Sequence, residues 1–465
     1  VNTRVFREYD IRGVADRDLT DAFARDLGRA LGTALRRRGG RTMTLGRDCR
    51  LSSPRLHAAL REGLLSTGVT LWDVGVVATP VLYYSVFHYD ADGGVQITGS
   101  HNPPEDNGFK ILRGKSTIHG ADIQELRALI ERQDFETGSG TVEERPIREE
   151  YLSMAASRIE LGPRRFGVVV DAGNGVGGWT APLIERLGFQ THGLFIEPDG
   201  RFPNHHPDPT IEENVAALKA KVAETGAEVG IALDGDADRI GVVDRRGRIV
   251  WGDQLMILFA RAILKEQPGA TFVSEVKCSK ALYDEIARAG GRAIMWKVGH
   301  SLIKEKMKEE RALLAGEMSG HIFFAHRYFG YDDAIYSAAR LVELLSKSEQ
   351  PLEVLVDQLP HFYNTPEIRH ELADEIKFDV VKRIVARFQA PEAKARHGVV
   401  EVVAVDGARV LWRDAWALVR ASNTQPALVL RFEAESKARL DEVRAFVESE
   451  LRAVEAELGA DPVSR

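Results

Sequence analysis

Short apolar runs alternate with amphipathic stretches along most of the chain. Phe166-Gly167-Val168-Val169-Val170-Asp171 reads as a buried strand, followed by the glycine-rich turn Ala172-Gly173-Asn174-Gly175-Val176-Gly177-Gly178. A helical pattern then runs from near Trp179 to Leu187-Gly188, where glycine suits a helix C-terminus. Val229-Gly230-Ile231-Ala232-Leu233 is a second such strand, stopping at Asp234-Gly235, and Arg311-Ala312-Leu313-Leu314-Ala315 a third, stopping at Gly316-Glu317. Continuous apolar strands between helices predict α/β layers with sheets covered on both faces. The C-terminal part differs: Val399 to Val405 and Ala427 to Phe432 predict strands of an α+β unit.

The punctuation between these patterns suggests four segments. Gly138-Ser139-Gly140 with Glu143-Glu144-Arg145-Pro146 reads as a linker. Asp244-Arg245-Arg246-Gly247-Arg248 reads as a hairpin turn, Trp251-Gly252-Asp253 opens a helical segment, and Gln358-Leu359-Pro360 closes a helix-rich stretch. Length alone, 465 residues at roughly 150 per domain, suggests about three. With 44% hydrophobic and 28% charged residues, wholesale disorder is excluded. No apolar window is long enough for a transmembrane helix, and Val1-Asn2-Thr3-Arg4 opens no signal-peptide pattern. Two cysteines, Cys49 and Cys278, are too few for a disulfide framework or a zinc site. A cytoplasmic enzyme is expected. The net charge of −7 disfavours nucleic acid and membrane as partners but says nothing against a local basic pocket.

Four loops concentrate candidate chemistry. Asp234-Gly235-Asp236-Ala237-Asp238-Arg239 follows an apolar strand, and its three carboxylates repel one another unless a hard cation such as Mg²⁺ or Ca²⁺ sits among them. An EF-hand loop would need Gly and Glu where Arg239 and Arg245 stand, so that alternative fails; a solvated acidic turn remains the simpler one. Thr98-Gly99-Ser100-His101-Asn102-Pro103-Pro104, continuing to Asn107-Gly108-Phe109-Lys110, places a hydroxyl on a restricted loop beyond the strand Gly94–Ile97. His101 and Lys110 stand near in sequence to polarise or neutralise what attaches to it. Locally, a polar turn accounts for it equally well. Gly316-Glu317-Met318-Ser319-Gly320-His321 offers the mixed donors and acceptors that sugar hydroxyls require. Arg420-Ala421-Ser422-Asn423-Thr424-Gln425-Pro426 would cradle a phosphate. A surface turn is the alternative for both. There is no Walker A sequence, and Gly173–Gly178 matches dinucleotide-loop spacing without a convincing ribose acid.

In combination, these loops closely resemble those of the α-D-phosphohexomutase superfamily, and among its members the bacterial phosphomannomutase/phosphoglucomutase group. Phe6-Arg7-Glu8-Tyr9-Asp10-Ile11-Arg12-Gly13 resembles the family's N-terminal motif, and the four loops above follow in the family's order, over nearly the whole chain. The resemblance implies three topologically similar mixed α/β domains plus a smaller C-terminal α+β domain around a central cleft. The expected ranges are 1–145 with a phosphoserine loop, 146–249 with a metal loop, 250–360 with a sugar-recognition loop and 361–465 with a phosphate loop. It further implies that Ser100 carries the phosphoryl group, with Mg²⁺ held by Asp234, Asp236, Asp238 and a phosphoserine oxygen. Arg12, Lys110 and Arg239 would surround the moving group. Glu317 and Ser319 would hold the sugar's O3 and O4; Arg420, Ser422, Asn423 and Thr424 the idle phosphate. Tyr9, Lys277 and His300 would add substrate contacts, and His321 or His300 would handle the proton.

The implied reaction interconverts hexose 1- and 6-phosphates of mannose and glucose through a hexose 1,6-bisphosphate, with glucose 1,6-bisphosphate as activator. The expectation is a monomer whose fourth domain closes about the Pro360 region to exclude water. Gln425, Asp106 and a longer stretch from Ala390 to His397 depart from the family pattern; the last reads as a surface insertion. A phosphoglucosamine mutase is the near alternative, disfavoured by Met318. A metal-dependent phosphatase would leave the Arg420 loop unexplained, and a binding module without turnover would have no need of Ser100 beside an acidic loop.

Overall fold

The structure, a computed structural model, describes residues 2–422 and 426–459. Four sheets follow one another along the chain. In the first, the parallel strands Thr141–Glu144, Thr70–Val76, Thr42–Arg47 and Gly93–Ile97 lie side by side. Asp106–Arg113 and Ile11–Val14 then add antiparallel to one edge. The second sheet repeats the plan: Gln190–Leu194, Gly167–Asp171 and Val229–Leu233 are parallel, and Ile240–Asp244 turns back against the last of them. The third does so again with Arg292–Trp296, Thr271–Glu275 and Leu314–Gly316 parallel and Ile322–Phe324 antiparallel. The fourth sheet is antiparallel throughout, centred on Ala415–Ala421 and Ala427–Ala434, with the helices Asp374–Gln389 and Lys437–Glu457 packed on it.

Gly93–Ile97, Val229–Leu233 and Leu314–Gly316 are buried at every position, which accounts for their unbroken apolar composition. In all three α/β units the connection from the last parallel strand to its antiparallel neighbour carries one of the candidate loops: 98–105, 234–239 and 317–321. One topological position is therefore used three times. The fourth unit, antiparallel throughout, has no such position; its candidate residue Arg420 lies near the end of the strand Ala415–Ala421.

Two local expectations change, and a third stretch gains a structure. Residues 138–146 are not a free linker. Thr141–Glu144 pairs in parallel with Thr70–Asp73 as the last strand of the first sheet, and the Gly138 and Gly140 N–H groups donate to Ser66 and Leu65. Its glutamates face solvent while Val142 packs inward, as suits an edge strand. The third apolar run begins its strand only at Leu314, because Arg311, at φ +52°, and Ala312 close the preceding helix His300–Glu309. The stretch expected as a surface insertion forms the short helix Pro391–His397, tied down where the Trp412 indole N–H donates to the His397 carbonyl at 2.7 Å.

Candidate active site

The first three loops meet in a buried cluster. Ser100 stands at φ +49°, an uncommon conformation for a residue with a Cβ, and is 2% exposed. Its hydroxyl donates to Asp234 Oδ2 at 2.8 Å and lies 3.1 Å from His101 Nδ1. Arg50, fully buried, holds the loop from behind: its Nη2 donates to the carbonyls of Ser100 (2.8 Å) and Asn102 (2.6 Å), and its Nη1 to that of Asp106 (2.9 Å). Two glycines permit the close approach. A Cβ on Gly235 would lie 2.4 Å from the Ser100 carbonyl oxygen, and one on Gly320, at φ +93°, 2.3 Å from that of Ile240.

Asp234, Asp236 and Asp238 are fully buried, with one oxygen of each within 4.8 Å of the others. Asp234 Oδ1 accepts the backbone N–H groups of Asp238 and Arg239, both at 3.1 Å. Lys110 Nζ donates to Asp236 Oδ2 at 2.7 Å and also to Asp238 Oδ2, while Thr79 donates its hydroxyl to Asp236. Burial and then repulsion from Asp236 and Asp238 push the Asp234 carboxyl well up. Burial would do the same to Asp236, but the Lys110 ammonium overrides it and holds that carboxyl below its usual range. Burial opposes the charge on Lys110 as well, and the three carboxylates reverse the effect, raising it. Asp236 Oδ1 and Asp238 Oδ1 remain buried with no hydrogen-bond partner. Two unsatisfied hard oxygens beside Ser100 and Asp234 are the donor set a small divalent cation requires.

Beside this cluster Arg239 Nε donates to His321 Nε2 at 2.9 Å. His321 stacks on His300 with ring centroids 5.8 Å apart, and both rings face the buried Asp332, whose Oδ1 accepts from Lys304 Nζ at 2.9 Å. Burial, then Lys304, pushes the His300 imidazole well below its ordinary value. Glu317 Oε1 accepts the Gly299 N–H at 2.8 Å. Ser319 lies half-buried on the same loop. Arg12 Nη1 donates to Asn102 Oδ1 (2.7 Å) and its Nη2 to Asp10 (2.6 Å). Asp106, one of the residues that depart from the family pattern, enters here. Its carboxylate accepts from Asn102 Nδ2 at 2.9 Å, one residue from Arg12.

The fourth unit joins through the third. Tyr9 donates to the Val298 carbonyl at 3.0 Å, and Asp406 accepts both the Val298 N–H (3.0 Å) and Arg420 Nε (3.1 Å). Lys277, half-buried, lies 3.3 Å from Glu367 Oε2, and desolvation works against its charge before Glu275 and Glu367 raise it. Arg409, fully buried, donates to the carbonyls of Val276 (2.5 Å) and Cys278 (2.6 Å) beneath the Trp416 ring. Ser422 is buried at the end of the Arg420 strand, whereas Asn423, Thr424 and the departing Gln425 lie outside the described residues.

Sequence reading missed Arg50, Thr79, Glu275, Lys304 and Asp332. Glu275 accepts the N–H groups of Lys277 (2.5 Å) and Met318 (3.2 Å) and so ties two substrate loops together. The pair Asp332-Asp333 was visible as acids before a helix, but it reads as a cap. Asp333 is one, accepting the Tyr336 N–H at 2.8 Å.

A serine buried against carboxylates, flanked by ammonium and guanidinium groups and by imidazoles, defines a phosphoryl-transfer enzyme. Family comparison agrees, domain by domain. Residues 3–137, 149–247 and 251–363 match phosphoglucomutase/phosphomannomutase alpha/beta/alpha domains I, II and III, and 367–450 the C-terminal domain. The chain belongs to the phosphoglucomutase/phosphomannomutase family and is an isomerase of that family. It is 46% identical over 455 residues to a Pseudomonas putida phosphomannomutase/phosphoglucomutase, covering 98% of this chain and 96% of that protein. With a Neisseria gonorrhoeae phosphoglucomutase it is 43% identical, covering 96% of this chain and 97% of that one. A phosphoglucomutase/phosphomannomutase family structure from Burkholderia thailandensis superimposes with a TM-score of 0.91 at 40% identity, covering 100% and 99% of the two chains.

Proposed function

We propose that this enzyme interconverts mannose 1- and 6-phosphate and glucose 1- and 6-phosphate, with Ser100 as phosphoryl donor and acceptor and a hexose 1,6-bisphosphate as the intermediate. The observation that carries it is the Ser100 hydroxyl donating to Asp234 while Lys110 lies across Asp236 and Asp238. Asp234, Asp236, Asp238 and the Ser100 side chain would hold Mg²⁺, which when bound supplies positive charge against the phosphoryl oxygens. Lys110, Arg12 and Arg239 add fixed positive charge where the moving group's negative charge spreads.

In this reading Glu317 and Ser319 grip the sugar's O3 and O4 in either orientation. Arg420, Ser422, Asn423 and Thr424 hold the phosphate that is not reacting, and Tyr9, Lys277 and His300 line the sugar between them. His321 accepts the proton of the attacking sugar hydroxyl through Nε2 once Arg239 turns to the phosphate. The sugar oxygen then bonds to phosphorus as the Ser100 Oγ–P bond breaks, and the reverse transfer, after the bisphosphate turns over, rephosphorylates Ser100. The four units are assigned as 1–145, 146–249, 250–360 and 361–465, one loop from each.

A coupled assay on mannose 1-phosphate and glucose 1-phosphate tests the reading. Isomerisation to the 6-phosphates, stimulated by glucose 1,6-bisphosphate, is expected; net release of inorganic phosphate would overturn it. Intact mass is expected to show a phosphoryl-sized increment that disappears in Ser100→Ala.

A further inference from the structure

His321 has two ring nitrogens with different neighbours. Nε2 accepts from Arg239 Nε at 2.9 Å, and a guanidinium can only donate, so Nε2 carries the lone pair and the ring proton belongs on Nδ1. Nδ1 lies 3.2 Å from Asp332 Oδ2 and 3.6 Å from Asp238 Oδ1. Nδ1 and Asp332 Oδ2 are both buried and neither has a formed hydrogen bond, so each is the nearest unsatisfied partner the other has, at 3.2 Å. Asp238 Oδ1 is the farther of the two and belongs to the cation-binding set, which leaves Asp332 Oδ2 as the nearer acceptor facing Nδ1. Asp332 is itself held in place: Lys304 Nζ occupies its Oδ1 at 2.9 Å, and a backbone bridge to Phe323 fixes its position beside the strand that follows His321. Asp238, His321 and Asp332 could also clasp a second cation, but ammonium groups already stand against both carboxylates.

We infer that Asp332 is the positioning residue for His321: it accepts the Nδ1 proton, fixes the ring in one tautomer and orientation, and so keeps the Nε2 lone pair directed at the cleft. This rests on the reading of His321 as proton acceptor. A carboxylate behind an imidazole is how a neutral histidine is kept ready to take a proton, since the wrong tautomer presents a donor where an acceptor is needed. Lys304 balances the buried charge of Asp332 and stops its carboxylate from rotating away. Asp332 reaches no reacting atom itself.

The test compares Asp332→Asn, the double variant Asp332→Asn/Lys304→Gln and His321→Gln in the full chain. Turnover of glucose 1-phosphate is measured alongside ¹⁵N spectra of histidine-labelled protein, the His321 signals being assigned by their loss in His321→Gln. Asp332→Asn is expected to lower kcat by about 100-fold with KM changed less than about threefold, and to turn a single Nδ1–H tautomer of His321 into a mixture. The double variant is expected to lose as much, because the deficit follows the carboxylate. Wild-type kcat in the double variant would trace the loss to a stranded Lys304 ammonium and overturn the inference, as would an unchanged tautomer in Asp332→Asn. If His321→Gln kept wild-type kcat, the reading of His321 as acceptor would fall, while the spectra would still decide whether Asp332 orients the ring.

Discussion

The contact between the Ser100 loop and the acidic loop is made backbone to backbone, and Gly235→Ala is the smallest change that forces them apart. The added Cβ would lie 2.4 Å from the Ser100 carbonyl oxygen, where carbon and oxygen normally rest at about 3.3 Å. Relief requires a displacement of about 0.9 Å. The Ser100 loop cannot easily supply it, because Arg50 Nη2 grips that same carbonyl at 2.8 Å. The other side is closed too: the Val176 N–H donates to the Gly235 carbonyl at 3.1 Å, and Gly175 packs directly against Gly235. The displacement therefore falls on the separation between Ser100 and the three aspartates. A misplacement near 1 Å costs about 10²-fold in turnover, and overpacking about 1–3 kcal/mol of stability. Turnover in the coupled glucose 1-phosphate assay should fall by about 100-fold while the protein stays folded by circular dichroism. Gly167→Ala serves as the control, since its Cβ would meet nothing closer than 3.5 Å. Gly235→Ala with turnover within threefold of wild type would refute the reasoning that this contact sets the reacting geometry.

Four further outcomes follow from the same geometry. Lys110→Met leaves buried Asp236 and Asp238 without their ammonium and should reduce turnover by at least about 10²-fold, measured at saturating substrate. Chelation followed by dialysis should abolish activity, with Mg²⁺ restoring it; full turnover in the chelated protein would remove the acidic loop from its role. Burial, with Asp48 adding to it, pushes the Cys49 thiol up to about 12. Alkylation near neutral pH, followed by mass spectrometry, should thus run about 10³-fold slower than for a free thiol. Burial raises the Asp333 carboxyl to about 6 despite two tyrosine hydroxyls donating to it. An acid whose folded value lies above its unfolded one stabilises most below the unfolded value, and that contribution is lost as pH rises to about 6. Wild type minus Asp333→Asn should therefore lose about 2 kcal/mol in unfolding free energy between pH 4 and pH 7, measured by urea titration at each pH.

Much of the site was legible because its chemistry and its turns coincide. Asp234-Gly235-Asp236-Ala237-Asp238-Arg239 puts three ligands, a close-approach glycine and a cation in one connection, and the buried strand before it announces where that connection points. What stayed hidden depends on contacts between distant segments. Asp48-Cys49-Arg50 reads as an ordinary polar turn, yet Arg50 is the strut behind the Ser100 loop, reached across some fifty residues of chain. Thr141–Glu144 carries three polar residues out of four and no usable period, and it is a strand only because Thr70–Val76 offers it an edge. Asp332 and Asp333 are identical neighbours ahead of one helix. The helix claims Asp333 through a local bond that sequence spacing can anticipate, whereas Asp332 is claimed by Lys304 and His321 from two other elements. The division is physical. A residue whose partner lies within a turn of it can be assigned from spacing, and one whose partner is supplied by packing cannot. A transfer site needs both kinds, because ligands gathered on flexible connections hold their geometry only when buried groups from elsewhere in the fold brace them.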